Sequence, residues 1–232
     1  MSAAPSTLVL FDIDGTIMRS QGVGVASMRR AFDAVYPGLG ISMDGVAIAG
    51  RLDTLILHDT LAKYGLVASE EQEGVFRDQY RTYLEQSLVT ASVRRMPGVH
   101  ELVTRLAADA RGVVGLLTGN WPDTARMKIA AAGFARETFR LGAYAGDGPD
   151  RRSLPPVAMQ RYEAAIGVPA RPDRTVVIGD TPLDVDCAHF NGCRVIAVAT
   201  GDFTVDELRA TGADLVVPTL EDVDHITAWI LA

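Results

Sequence analysis

The sequence predicts an α/β protein, a parallel sheet with helices on both faces and an inserted all-helical domain. Three observations predict it. Short unbroken apolar runs recur without the alternation of half-buried strands, as expected when both sheet faces are covered. Stretches with helix start and stop signals separate them, which is the βαβ pattern. The interval between the first and second runs is too long for one crossover.

Thr7-Leu-Val-Leu-Phe11 reads as the first strand. Residues 19–95 then show helical spacing and no convincing strand. Met28, Phe32 and Val35 share one face, Leu57 and Leu61 another, and Phe76, Tyr80, Leu84 and Leu88 follow at four-residue intervals. This is the expected insert, with hinges near Met18–Gln21 and Ser92–Met96. The core is then residues 7–18 and 96–232. Pro97 opens a helix through Leu102, Val103, Leu106 and Ala110, stopped by Gly112. Val113–Leu117 is the second strand. Pro122 opens a helix that ends at Gly133, and a fainter strand pattern lies near Phe139–Tyr144. Val157–Ile166 is a helix stopped by Gly167, and Thr175–Ile178 is the third strand. Asp184–His189 begins a helix ended by Asn191-Gly192. Arg194–Val198 is a fourth strand and Asp214–Val217 an edge strand. Strands and helices in this order build a Rossmann-like core. No internal repeat or low-complexity tract is present.

The 232 residues suit one to two domains and a sizeable core without disulfides or a structural metal. The 48% hydrophobic and 22% charged fractions exclude wholesale disorder. Twenty-two basic against 29 acidic residues give a net charge of −7, which argues against nucleic-acid or anionic-membrane partners. No run approaches the length of a membrane span. Met1-Ser-Ala-Ala-Pro-Ser6 has neither the basic nor the apolar region of a signal peptide. Cys187 and Cys193 build no disulfide framework and no CxxC pair, so a reduced cytoplasmic setting is expected. Lys63 and Lys128 are the only lysines.

In open parallel sheets ligands bind outside the carboxyl ends of the strands. Asp12-Ile-Asp-Gly-Thr16 follows the first strand, Thr118-Gly-Asn120 the second, and Gly179-Asp-Thr-Pro-Leu-Asp184 the third. Asp12 and Asp14 can face one site, where like charges repel unless a cation sits between them or one pKa rises. Asp180 and Asp184 add charge from a neighbouring strand. Carboxylates without clustered His or Cys select Mg2+ over zinc. Thr118 and Gly119 offer a hydroxyl and a backbone N–H, geometry that suits phosphate oxygens. Each segment alone is also ordinary turn and cap chemistry; three strand ends together are not.

The set resembles the haloacid-dehalogenase-like hydrolase superfamily. Phe11-Asp-Ile-Asp-Gly-Thr16 matches its first motif, Leu117-Thr-Gly-Asn120 its second and Gly179-Asp-Thr-Pro-Leu-Asp184 its fourth. A helical insert directly after the first motif resembles the C1 cap of the phosphoglycolate-phosphatase and β-phosphoglucomutase branch. The resemblance implies Asp12 as the nucleophile that becomes an aspartyl phosphate and Asp14 as general acid, then base. It implies Mg2+ held by Asp12, the backbone carbonyl of Asp14 and Asp180, with Asp184 behind them. Thr118 and Gly119 would bind the phosphoryl oxygens, with Gly15, Thr16 and Asn120 beside them. An acid at Asp14 suits a phosphate ester and disfavours a dehalogenase.

One departure stands out. The family's third motif is usually a lysine between the second-motif helix and the fourth motif. Lys63 lies in the insert. Lys128 lies two turns into the helix after Thr118, roughly 10–12 Å along its axis. Asp150-Arg-Arg-Ser-Leu-Pro155 occupies the position instead. Arg151 is assigned the role, with Arg152 second. In the insert, Ala49-Gly-Arg-Leu-Asp-Thr-Leu55 resembles a C1 specificity loop. There Arg51 either reaches a second anionic group on the substrate or pairs locally with Asp53. Trp121 lines the entrance or packs, and Thr200-Gly-Asp202 reads more as a turn than as a rim. The four histidines have no metal-ligand spacing. The expected activity is a Mg2+-dependent phosphatase on a small soluble phosphomonoester, phosphoglycolate or a sugar phosphate. The alternative is a phosphomutase of the same fold; a non-catalytic regulatory module or a dehalogenase fits less well.

Overall fold

Five consecutive buried residues, four of them apolar, need cover on both faces, and strand β1 (Thr7–Phe11) obtains it in the middle of the sheet. The structure, a computed structural model, describes residues 6–232. Residues 1–5, most of the segment read for a signal peptide, lie outside them. After β1 come β2 (Met18–Arg19) and the helices α1 (Val23–Val35), α2 (Asp53–Ala62) and α3 (Glu70–Thr90). Then follow β3 (Arg94–Arg95), α4 (Val99–Ala108), β4 (Gly112–Leu117), α5 (Pro122–Ala131), β5 (Leu141–Ala143) and α6 (Leu154–Ile166). The chain closes with β6 (Thr175–Gly179), α7 (Pro182–Phe190), β7 (Arg194–Val198), α8 (Val205–Ala210), β8 (Leu215–Val217) and α9 (Val223–Leu231).

The main sheet runs β5-β4-β1-β6-β7-β8 and every neighbouring pair is parallel. The α/β fold class expected from the sequence holds. The chain builds outward from β1 through β4 to β5, then returns to β1's other side for β6, β7 and β8. That reversal puts the switch point beside β1, where carboxyl ends open a crevice. Side chains alternate between two cores. Leu8, Leu10, Val177 and Val195 face one, and Val9, Phe11, Val176, Ile178 and Ile196 the other.

The insert begins and ends at a two-stranded antiparallel ribbon, Met18 opposite Arg95 and Arg19 opposite Arg94. The sequence showed no strand there, because two residues are too few to display a period. Helix α3 starts with a capping box. Gln72 N–H donates to Ser69 Oγ, and Ser69 N–H donates to Gln72 Oε1. Glu70, Glu71 and Glu73 in its first turn complement the helix dipole. Helix α1 packs along α3, with Phe32 and Phe76 ring centres 4.5 Å apart. Trp121 continues this apolar interior into the core, its ring 6.3 Å from Phe76 and 5.9 Å from Tyr80. The insert and one sheet face therefore share a single cluster.

Helices α6 and α7 begin at Leu154 and Pro182, earlier than the sequence pattern placed them. Pro155, Pro156 and Pro182 sit in first turns, where a missing N–H costs nothing. Helix α9 packs against α4. Phe76 lies where the insert meets Trp121, so Phe76→Ala should cost about 3–5 kcal/mol. Urea unfolding with an unchanged slope is the check.

Candidate active site

Burial forces the loops after β1, β4 and β6 to satisfy one another. Asp12 leaves β1 with its N–H donated to the Ile178 carbonyl at 2.9 Å. Its carboxylate is buried, as are those of Asp180 and Asp184, and one oxygen of each lies within 4.8 Å of the others. Arg151, buried on a short 3-10 turn at 151–153, answers this charge. Its Nη2 lies 3.1 Å from Asp12 Oδ1 and also binds Asp184 Oδ1. Its Nη1 donates to the Gly50 carbonyl at 2.9 Å. Asp184 Oδ2 accepts from the N–H and hydroxyl of Thr181, so the same carboxylate caps α7 and holds Arg151.

One guanidinium does not balance three carboxylates. Burial, with Asp184 and Asp14 adding repulsion against the pull of Arg151, pushes the Asp12 carboxyl up to about 6. Burial and the neighbouring Asp12 and Asp184 push Asp180 up to about 8. Burial opposes the charge on Arg151, yet Asp184 and Asp12 hold it above its ordinary value. The donor set is all oxygen and short of positive charge, which fits a hard divalent cation.

The loops also hold Asp180 by shape. Thr16 Oγ1 donates to Asp180 Oδ1 at 3.0 Å. Thr200 Oγ1 donates to the Gly15 carbonyl at 2.6 Å. A Cβ at Gly15 would fall 2.2 Å from Asp180 Oδ2, and one at Gly201 1.7 Å from it. The turn at 200–202 thus lies against the site rather than apart from it. Thr16 and Gly15 fix an acidic side chain here; no direct substrate role is needed to explain them.

On the β4 side, Thr118 Oγ1 accepts from Asn120 Nδ2 at 2.7 Å. Its own hydroxyl hydrogen has no protein acceptor among the described residues. Asn120 Nδ2 also donates to Asp14 Oδ2 at 2.8 Å, and its Oδ1 accepts from Lys128 Nζ at 2.6 Å. The Asn120 amide is therefore committed within the protein. Lys128 donates to Asp14 Oδ2 at 2.6 Å. Axial rise alone places this lysine roughly 10–12 Å from the motif loop. A helical side chain leans toward the helix N-terminus, so a long one crosses those two turns back to the motif loop. That lean was the available signal.

Two arginines part from the sequence reading. Arg152 turns outward, bidentate to Asp186 and stacked on Phe190, away from the cavity. Successive residues of a tight turn point in different directions, so only Arg151 enters. Arg51 pairs with Asp59, not with Asp53, and does not line the cavity.

The cavity above these loops has a volume of about 800 Å³. Asp12, Asp14, Thr118, Arg151 and Asp180 form its core side, with Ile48, Ile56 and Tyr80 of the insert facing them. Arg19 and Arg94 of the ribbon lie at its rim. The loop 50–53 is bonded directly to the core. Asp53 N–H donates to the Gly119 carbonyl at 2.7 Å, and Trp121 N–H donates to Asp53 Oδ2 at 3.1 Å. A Cβ at Gly119 would lie 2.0 Å from the Arg51 carbonyl oxygen, so only glycine allows this crossing. Burial pushes Asp53 up to about 7, against the pull of Lys128 and the Trp121 N–H.

Residues 152–223 match the HAD-hydrolase-like family model. The chain is 25% identical to the phosphoglycolate phosphatase of Rhodospirillum rubrum, over 96% of this chain and 90% of that protein. Its fold matches a hydrolase from Pseudomonas syringae with a TM-score of 0.71 at 22% identity, covering 98% of this chain and all of that one. A protein described as a predicted phosphoglycolate phosphatase from Haemophilus somnus gives 0.70 at 18% identity, covering 97% of this chain and all of that one. The resemblance drawn from the motifs holds, and with it the expectation of an enzyme of the hydrolase class.

Asp53 titrates at about 7 when folded and near 3.8 when unfolded. Its protonated form favours the fold, so that contribution is complete below 3.8 and lost as pH rises through 7. Between pH 5.5 and 8.5 the urea midpoint of Asp53→Asn should fall less than that of the wild type. Equal falls would show that Asp53 is not the titrating group.

Proposed function

We propose that this chain is a haloacid-dehalogenase-like hydrolase, a Mg2+-dependent phosphatase acting on a small soluble phosphomonoester, of phosphoglycolate or sugar-phosphate type. The observation that carries the reading is the convergence of Asp12, Arg151 and the Thr118 hydroxyl on one cavity at the carboxyl ends of β1 and β4. The similarity to the Rhodospirillum rubrum phosphatase supports it.

Asp12 attacks phosphorus while Thr118, the Gly119 N–H and Arg151 bind the phosphoryl oxygens. The ester P–O bond breaks, its electron pair stays on the leaving oxygen, and that oxygen takes a proton from Asp14. Asp14 then takes a proton from water as the water oxygen attacks the aspartyl phosphate. The bond to Asp12 breaks, inorganic phosphate leaves and the Asp12 carboxylate returns. Asp12, Asp180 and the Asp14 carbonyl would hold Mg2+, with Asp184 behind them. When bound, the cation neutralises charge on the phosphoryl group and the carboxylates. Residues 19–95 act as a cap that moves about 18–21 and 92–96, and its closure excludes water. The setting is cytoplasmic. No helix among the described residues is long and apolar enough to cross a membrane.

Phosphate release from a panel of phosphomonoesters tests the reading. It should require Mg2+, stop on chelation and vanish in Asp12→Asn. Turnover of no ester, or undiminished turnover in that variant, contradicts it. Arg151→Met should lower kcat about 100-fold or more. Arg152→Ala, on the surface, should stay within about twofold. The opposite pattern would return the third-motif role to Arg152.

A further inference from the structure

We infer that Lys128 is a positioning residue for Asp14, an inference that rests on the phosphatase reading. Lys128 stands on α5 with its side chain 5% exposed, and its Nζ lies 2.6 Å from Asp14 Oδ2. Asn120 donates to the same oxygen at 2.8 Å. The lysine and the asparagine are themselves joined at 2.6 Å. The three side chains close a ring, and two donors fix Asp14 through one oxygen.

The other oxygen, Oδ1, has no donor among the described residues, and the Asp14 side chain is 48% exposed on the cavity. The clamp therefore leaves one oxygen free and decides where it points. From the insert side, Gly24 of α1 lies against the ammonium, with Tyr80 of α3 beside that glycine. A Cβ at Gly24 would lie 3.5 Å from Lys128 Nζ and 3.6 Å from Tyr80 Oη. An ammonium this enclosed is kept only where partners compensate its lost hydration. Its two hydrogen-bond partners are Asp14 and the residue that helps hold Asp14.

This assigns Lys128 a part in one step. As the P–O bond to the leaving oxygen breaks and the electron pair passes to that oxygen, the proton on Asp14 moves to it. Lys128 neither gives nor takes a proton; it keeps Asp14 Oδ1 within reach. Groups that bind the phosphoryl oxygens act on every ester alike. A group that serves proton delivery matters only when the leaving oxygen needs a proton.

The test compares kcat/KM, which reports the reaction up to alcohol release, for an alkyl phosphate and for 2,4-dinitrophenyl phosphate. Lys128→Met should lose about 30-fold or more on the alkyl ester and less than about threefold on the dinitrophenyl ester, whose leaving group needs no proton. Asp14→Ala should show the same selectivity. Equal losses on both esters, or no loss on either, would overturn the inference. Thermal melting checks that Lys128→Met folds; if it does not, Lys128→Gln is measured against the same two outcomes. Asp12-dependent turnover by the wild type is read first. Its absence on both esters fails the phosphatase reading itself, whereas equal losses with that turnover present fail the inference alone.

Discussion

Three aspartates placed at one sheet edge repel one another, and the site is organised around that repulsion. Asp12, Asp180 and Asp184 are buried together because β1 and β6 are neighbours and α7 starts directly after β6. Arg151 reaches two of the three. Removing such a partner leaves uncompensated buried charge, which costs about 3–5 kcal/mol. Even with Arg151 in place the Asp12 and Asp180 carboxyls sit above their ordinary range. The remaining deficit of positive charge is what the proposed Mg2+ would supply. Asp184 joins stability to this electrostatic set, since one carboxylate both caps a helix and holds the arginine.

The same loops tie the insert to the sheet. Gly50, Arg51 and Asp53 meet Arg151, Gly119 and Trp121 through two backbone carbonyls, one backbone N–H and one carboxylate. Trp121 extends the apolar contact into α3. The backbone that would bind the phosphoryl group is therefore held partly from the insert. Under the proposed reading, cap position and site geometry are linked by hydrogen bonds rather than by proximity alone.

Much of this was legible in the sequence. Strands buried on both faces announce themselves as unbroken apolar runs, so four of them, and their loops, could be placed to within a residue. The convergence of Asp12, Thr118 and Asp180 followed from sheet topology. What stayed hidden depends on side-chain direction. Arg151 and Arg152 are adjacent and chemically identical, yet one enters the cavity and the other meets Asp186. Lys128 lies two turns from the motif loop by helical rise, and only the backward lean of its side chain closes that distance. The ribbon at 18–19 and 94–95 shows no period because it is two residues long. Thr200-Gly-Asp202 read as a plain turn because its partners, Gly15 and Asp180, lie far away in sequence.

Under the proposed reading, Asp12 accepts the phosphoryl group at this crowded edge. Mixing the enzyme with a substrate ester and Mg2+, quenching in acid within one turnover and mapping peptides by mass spectrometry tests it most directly. A phosphoryl group is expected on the peptide that carries Asp12, released by hydroxylamine and missing from Asp12→Asn. Turnover with no phosphorylated enzyme, or with the group on a different residue, would contradict it.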